Sequence, residues 1–205
     1  MSIVTLNDRG VRSVTAFGSV SGGSMVFIKK LTASSDGTLS FVDGASSVVL
    51  DSTYKEYLFT FNNIHLESDG NDFLFNLSAD GGSNYNVTKT TTFFRALHYE
   101  NDSSALLQYR TNSDLAQSTS FQNITEGVGA DNDQSLCGTL QLFNPSSTTF
   151  VKHFIATSNR THHQDLSIND FVAGYGNTTS AINAIQFKFG SGNIDAGDIC
   201  LYGIL

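Results

Sequence analysis

The stretch from Tyr54 to Tyr85, YKEYLFTFNNIHLESDGNDFLFNLSADGGSNY, constrains this chain more than any other. Tyr57, Phe59 and Phe61 alternate with Leu58, Thr60 and Asn62, and after a polar turn Phe73, Phe75 and Leu77 repeat the alternation. Side chains of a strand point to opposite faces with a period of two, so these runs predict an antiparallel strand pair with one buried face. The pair ends on Asp80-Gly81-Gly82-Ser83, a turn signal.

The same pattern continues to the C-terminus. Strands are expected at Met25 to Thr32, Thr38 to Val42, Tyr54 to Asn62, Asp72 to Ser78, Thr90 to His98 and Leu106 to Tyr109. Further ones are expected at Leu136 to Phe143, Thr149 to Thr157, Ile168 to Ala173, Ala181 to Phe189 and Asp198 to Ile204. Short strands separated by Asp-Gly turns predict an all-β fold, an antiparallel β-sandwich of jelly-roll-like type. Helix signals are confined to one turn at Leu115 to Phe121.

The core is expected to be aromatic. The chain has 16 Phe and no Trp, so its large rings bring no N–H that would need a buried partner. Phe59, Phe61, Phe73, Phe75, Phe93, Phe150, Phe154, Phe187 and Phe189 are the candidates for the space between two sheets. Cys137 and Cys200 read as reduced, buried thiols that fill space, with a disulfide as the other reading.

Residues 1–20 read differently. Leu6-Asn7-Asp8-Arg9-Gly10-Val11-Arg12 lacks clean alternation, and Gly18-Ser19 and Ser21-Gly22-Gly23-Ser24 form a joint. We expect an N-terminal arm (1–20) for attachment or subunit contact, with Leu6, Arg9, Val11, Arg12, Val14 and Phe17 as contact residues, ahead of a single sandwich domain (21–205). The opening MSIVTLNDRGVRSV has no apolar core after a basic start, so no secretory signal is expected. Six Asn-x-Ser/Thr sites, at Asn76, Asn86, Asn101, Asn123, Asn159 and Asn177, then read as polar turns and strand faces.

Composition argues against several functions. A net charge of −8, with Lys29-Lys30 as the single basic doublet, opposes nucleic-acid binding, which draws on clustered Lys and Arg. No run of about 20 apolar residues predicts membrane insertion. Charged residues make up 15% of the chain, so its surface must be built from Ser, Thr, Asn and Gly.

Candidate chemistry is sparse. His162-His163 with Asp165 suggests a loop metal site, but neighbouring histidines on a strand face opposite ways, which favours a polar loop. His153 reads as a strand residue that packs locally, and His65 and His98 lack an acid–base partner nearby in sequence. Asp131-Asn132-Asp133 resembles part of a calcium loop without its glycine and distal glutamate, and reads as a turn. No nucleophile elbow, Walker loop, HExxH or dinucleotide fingerprint is present. The expectation is a protein that is not an enzyme and needs no cofactor.

Three segments carry a family resemblance: DSTYKEYLFTFNNIHLESDGNDFLFNLSADGGSNYN, FQNITEGVGADNDQSLCGTLQLFNPSSTTFVKHFIA and INAIQFKFGSGNIDAGDICLYGI, with the opening NDRGVRSVTAF. Together they resemble virion structural proteins of tailed, especially marine, bacteriophages. The resemblance implies a surface-exposed sandwich of a fibre, tail tip or head decoration, located in the virion and made in the host cytoplasm. Its implied partners are copies of itself, as a homotrimer, and other virion proteins. The alternative is an adhesin module that binds a host receptor or glycan.

Overall fold

The computed structural model describes residues 24–205, which form twelve strands and no helix. They are β1 (Met25–Thr32), β2 (Leu39–Val42), β3 (Glu56–Leu66), β4 (Asn71–Ser78), β5 (Lys89–Tyr99), β6 (Ala105–Tyr109), β7 (Gln122–Val128), β8 (Leu136–Phe143), β9 (Lys152–His162), β10 (Leu166–Gly176), β11 (Ala184–Phe189) and β12 (Ile194–Ile204). Every pairing is antiparallel. The fold is the all-β antiparallel sandwich that the alternation predicts. The proposed arm and its contact residues Leu6, Arg9, Val11, Arg12, Val14 and Phe17 lie outside the described residues.

The strands make two layers. The larger runs β1-β12-β3-β8-β9-β10-β5-β6, and the smaller runs β7-β4-β11-β2. They are joined by one ladder pair, Val128↔His162, between β7 and β9. On the opposite side, the isolated bridge Asp36↔Ile194 ties the segment before β2 to β12. The sandwich is therefore nearly closed into a barrel.

The core lies where β4, β11 and β2 cover β12, β3, β8 and β9. Eight of the nine expected rings are buried, each 2% exposed or less. Phe187 sits at their centre, with ring centroids 5.5 Å from Phe59, 5.3 Å from Phe61 and 6.0 Å from Phe73. Phe75 meets Phe154 edge-on at 4.9 Å. Phe41 of β2 completes the set against Phe59 at 5.4 Å. Edge-to-face geometry suits the ring quadrupoles and adds about 0.5–1.5 kcal/mol per pair to the gain from burial.

Phe150 is the exception. It is 68% exposed, because β9 begins at Lys152 and residue 150 belongs to the preceding loop. Its Phe150 and Thr149 amides turn back on the Ser147 hydroxyl, 3.2 Å away, so the chain has not yet become extended. Leu115 to Phe121 is not a helical turn either. It is a loop pinned to β5, with Leu115 N–H donating to Thr91 Oγ1 at 2.7 Å and an isolated bridge Lys89↔Ser118. The strand that follows, β7, was not foreseen from its sequence QNITEGV.

The cysteines part company. Cys200 is buried as expected, whereas Cys137 is exposed on β8, where its thiol lies 3.4 Å from Asn63 Oδ1; both are free thiols.

Candidate interaction face

The inward face of the larger layer changes character along its width. Under β12, β3 and β8 it is apolar, but toward β10 and β5 it carries charge. Arg160 of β9 and Asp170 of β10 are fully buried and form an ion pair through Nη1 and Oδ2. Thr125 of β7 stands across the layer gap and donates its hydroxyl to the same Asp170 oxygen. Burial pushes the Asp170 carboxyl up to about 6, against the pull of the Arg160 charge and the Thr125 bond. The other Asp170 oxygen and Arg160 Nε and Nη2 have no hydrogen-bond partner among the described residues.

Next to this pair, Glu126 of β7 binds Arg95 Nη1 of β5 at 3.2 Å and Arg110 Nε at 2.9 Å, and it also accepts from the Ser113 hydroxyl. Burial alone would raise its carboxyl. Its bonds to Arg110 and Ser113 and the two guanidinium charges hold it below the usual range instead. A carboxylate clamped by two guanidiniums has no lone pair aimed at solvent to act as a base. The cluster staples β7 to β5 and the segment after β6, and closes that end of the sandwich.

Two lysines are also buried. Lys89 Nζ is bonded to Asn76 Oδ1 and to Val87 O at 2.8 Å, and Lys152 Nζ to Phe150 O at 2.7 Å. Burial among neutral groups pushes the Lys89 ammonium down to about 7. Asn76, the first residue of one glycosylation-type triplet, is fully buried as the partner of Lys89.

The histidines make no shared site. His162 and His163 stack with centroids 4.1 Å apart, because His162 ends β9 and the chain turns at once; the opposed strand geometry expected of them does not apply. Burial, with His163 and Arg160 nearby, pushes His162 down to about 4. His98 does find an acid, Asp102 at 3.0 Å across the β5–β6 turn, and His65 finds Asp195 at 3.3 Å. His153 lies on β9 as expected and packs at 6.0 Å from Tyr175. Among the described residues, no three His, Cys, Asp or Glu side chains are grouped to hold a metal ion.

The outward face of β8, β9, β10, β5 and β6 is different again. Strand register lines its side chains up in rows. One row reads Thr139, Thr157, Phe171, Phe94 and Tyr109; the next reads Gln141, Ile155, Ala173 and Thr92; a third reads Cys137, Asn159, Asn169, Ala96 and Leu107. None of these fourteen residues carries a formal charge at neutral pH. Phe94 and Phe171 stack face to face at 4.8 Å, and Phe94, Ile155, Tyr109 and Leu107 are exposed. Small Ala173 and Thr92 beside taller Ile155, His153 and Tyr175 leave a groove of about 480 Å³. A second depression of about 520 Å³, which includes Phe150, adjoins it through Phe143 and His153.

Sequence reasoning placed most of these residues on strands but did not gather them into one face. The signal was present: β5 and β10 carry aromatic or apolar residues at both parities (Phe93 and Phe94, Phe171 and Val172), as a strand with two apolar faces does. No family model, curated protein or solved structure matches this chain.

Proposed function

We propose that this chain is a non-enzymatic structural module of a tailed-phage virion (fibre, tail tip or capsid decoration) that works by docking against protein. The observation that carries the docking part is the neutral outward face: three rows without a formal charge, one of them exposing the rings of Phe94 and Tyr109, on a molecule of net charge −8. Contiguous apolar surface is uncommon on monomers and marks interaction sites. Like-charged copies also approach with least repulsion through an uncharged surface. The virion part rests on the sequence resemblance alone.

The test has two arms. Phe94→Asp with Ile155→Asp puts charge on the face without touching the core, and should abolish incorporation into particles while leaving the fold intact by circular dichroism. Deletion of residues 1–19 tests the arm in the same way. Normal incorporation of the double variant would remove this face from the account.

The groove beside Tyr175, His153 and Thr92 favours a second reading, binding of a host glycan or receptor. Sugars stack on aromatic rings that have polar groups beside them, and the groove offers the half-buried Tyr175 ring with His153 and the threonines of β5. A glycan array probed with the whole chain separates the readings: saturable binding lost in Tyr175→Ala supports the adhesin.

A further inference from the structure

β6 is the last strand of the larger layer, and its far side has no partner among the described residues. Such an edge offers free N–H and C=O groups to any extended chain, and proteins usually blunt it with Lys, Pro, a bulge or brevity. The edges at β1 and β2 are blunted, and β7 meets β9 at Val128. β1 carries Lys29 and Lys30 and has a register break between Phe27 and Lys29. β2 is four residues long. β6, Ala105-Leu106-Leu107-Gln108-Tyr109, has no charge, no proline and an unbroken register with β5.

Ladder parity shows which groups are free. Tyr99 N–H donates to Ser104 O at 3.0 Å and Arg110 N–H to Phe93 O at 2.8 Å. In an antiparallel ladder, alternate residues bond to one neighbour, so Ser104, Leu106, Gln108 and Arg110 turn their backbone groups to β5. Ala105, Leu107 and Tyr109 therefore turn theirs outward. Their side chains lie on the uncharged outward face, where Leu107 is 75% exposed.

We infer that β6 pairs antiparallel with β6 of a second copy, about a two-fold axis through Leu107. The outward groups of Ala105, Leu107 and Tyr109 are symmetric about residue 107, so Leu107 would meet Leu107 of the copy, and Ala105 would meet Tyr109. One operation satisfies all three free positions on both chains. The occupant is a copy rather than a charged partner, because the edge and the rows beside it are neutral. Two-fold contacts are self-complementary by construction and are the commonest form of homo-oligomer. The join would continue the larger layer and its neutral face across both molecules. It rests on the self-assembly part of the function proposed above and gives that assembly a two-fold element; a threefold particle contact would have to use another surface.

The experiment uses the whole chain. Sedimentation equilibrium should show a concentration-dependent dimer, and Leu107→Lys, which sets two ammonium groups face to face, should weaken it by more than about 100-fold. Amide hydrogen exchange gives the sharper readout. Ala105, Leu107 and Tyr109 amides should gain protection as concentration rises, while Leu106 and Gln108, bonded within the chain, stay protected throughout. Ala105→Pro, which removes one outward N–H and no bond to β5, serves as the second variant if Leu107→Lys folds poorly. A trimer, or a dimer that survives both substitutions with exposed odd-numbered amides, would overturn the edge and leave docking through the face standing. A monomer at every concentration would overturn self-assembly with it.

Discussion

The two halves of the sandwich interior solve the same packing problem in opposite ways. Between β3, β12 and the small layer, interlocked phenylalanines fill the space around Phe187. Between β10, β5 and β7, the space is filled by Arg160, Asp170, Glu126 and Arg95, with Thr125 bonded to both Asp170 and Arg160; beside them Gln122 bonds Thr91 and Ser113, and Lys89 bonds Asn76 of β4. The dry half gains free energy in proportion to the apolar area it hides. The charged half hides groups that water would solvate well, so its stability depends on every partner being in place. Damage should therefore be graded in the first half and abrupt in the second.

Substitutions can break this contrast. Phe75→Ala and Phe187→Ala each leave a void at a fully buried ring and should lose about 3–5 kcal/mol in chemical denaturation. Arg160→Met alone should cost a similar 3–5 kcal/mol, because it strands the Asp170 carboxylate in the interior. The paired change Arg160→Met with Asp170→Leu separates the two kinds of interior, since removing both charges should recover most of that loss. A double variant as unstable as the single one would mean that the charged half is held by shape, as the dry half is.

Protonation sharpens the contrast further. Asp170 binds its proton more tightly in the folded chain than in the unfolded one, so its contribution is lost as pH rises from about 4 to about 6. Lys89 shifts the other way: its folded-state value is near 7 against an ordinary 10.5, so stability should climb as pH rises between those values. The climb should amount to a few kcal/mol, and Lys89→Met should flatten it in denaturation curves taken at pH 7, 8.5 and 10. The smallest effect belongs outside both halves. Phe150→Ala should stay within about 0.5 kcal/mol of the parent, since that ring is mostly in solvent.

These halves were unequally legible in the sequence. Alternating Phe, Tyr and Leu in β3, β4 and β11 announced both the strands and the side of each that is buried. Lys89, Arg160 and Asp170 occupy inward positions of equally regular strands, but a charged residue at such a position reads as solvent-facing until its partner is known. Those partners come from strands 10 to 45 residues away, Asp170 and Thr125 for Arg160, Thr125 for Asp170 and Asn76 for Lys89, and a local pattern holds no trace of them. β7 was missed for the same reason. Its inward Gln122 and Thr125 serve the polar network, which leaves Ile124 and Val128 as its only large apolar residues. Phe150 failed in the reverse direction, because an aromatic residue two positions before a strand looks like part of it.

The outward face was hidden by a different limit. Phe94 and Phe171 are 77 positions apart in the chain and become neighbours only through the β5–β10 register. Ladder parity on β6 likewise follows from which residues bond to β5, and composition does not encode it.

The single Val128↔His162 pair that stitches the two layers together has a mechanical meaning. With so short a backbone seam, the β7 side of the four-strand lid is held by side chains instead, Thr125 on Asp170 and Glu126 on Arg95. Pulled or heated, the lid should swing away there only once those bonds give, and the charged groups beneath would be wetted before the phenylalanines.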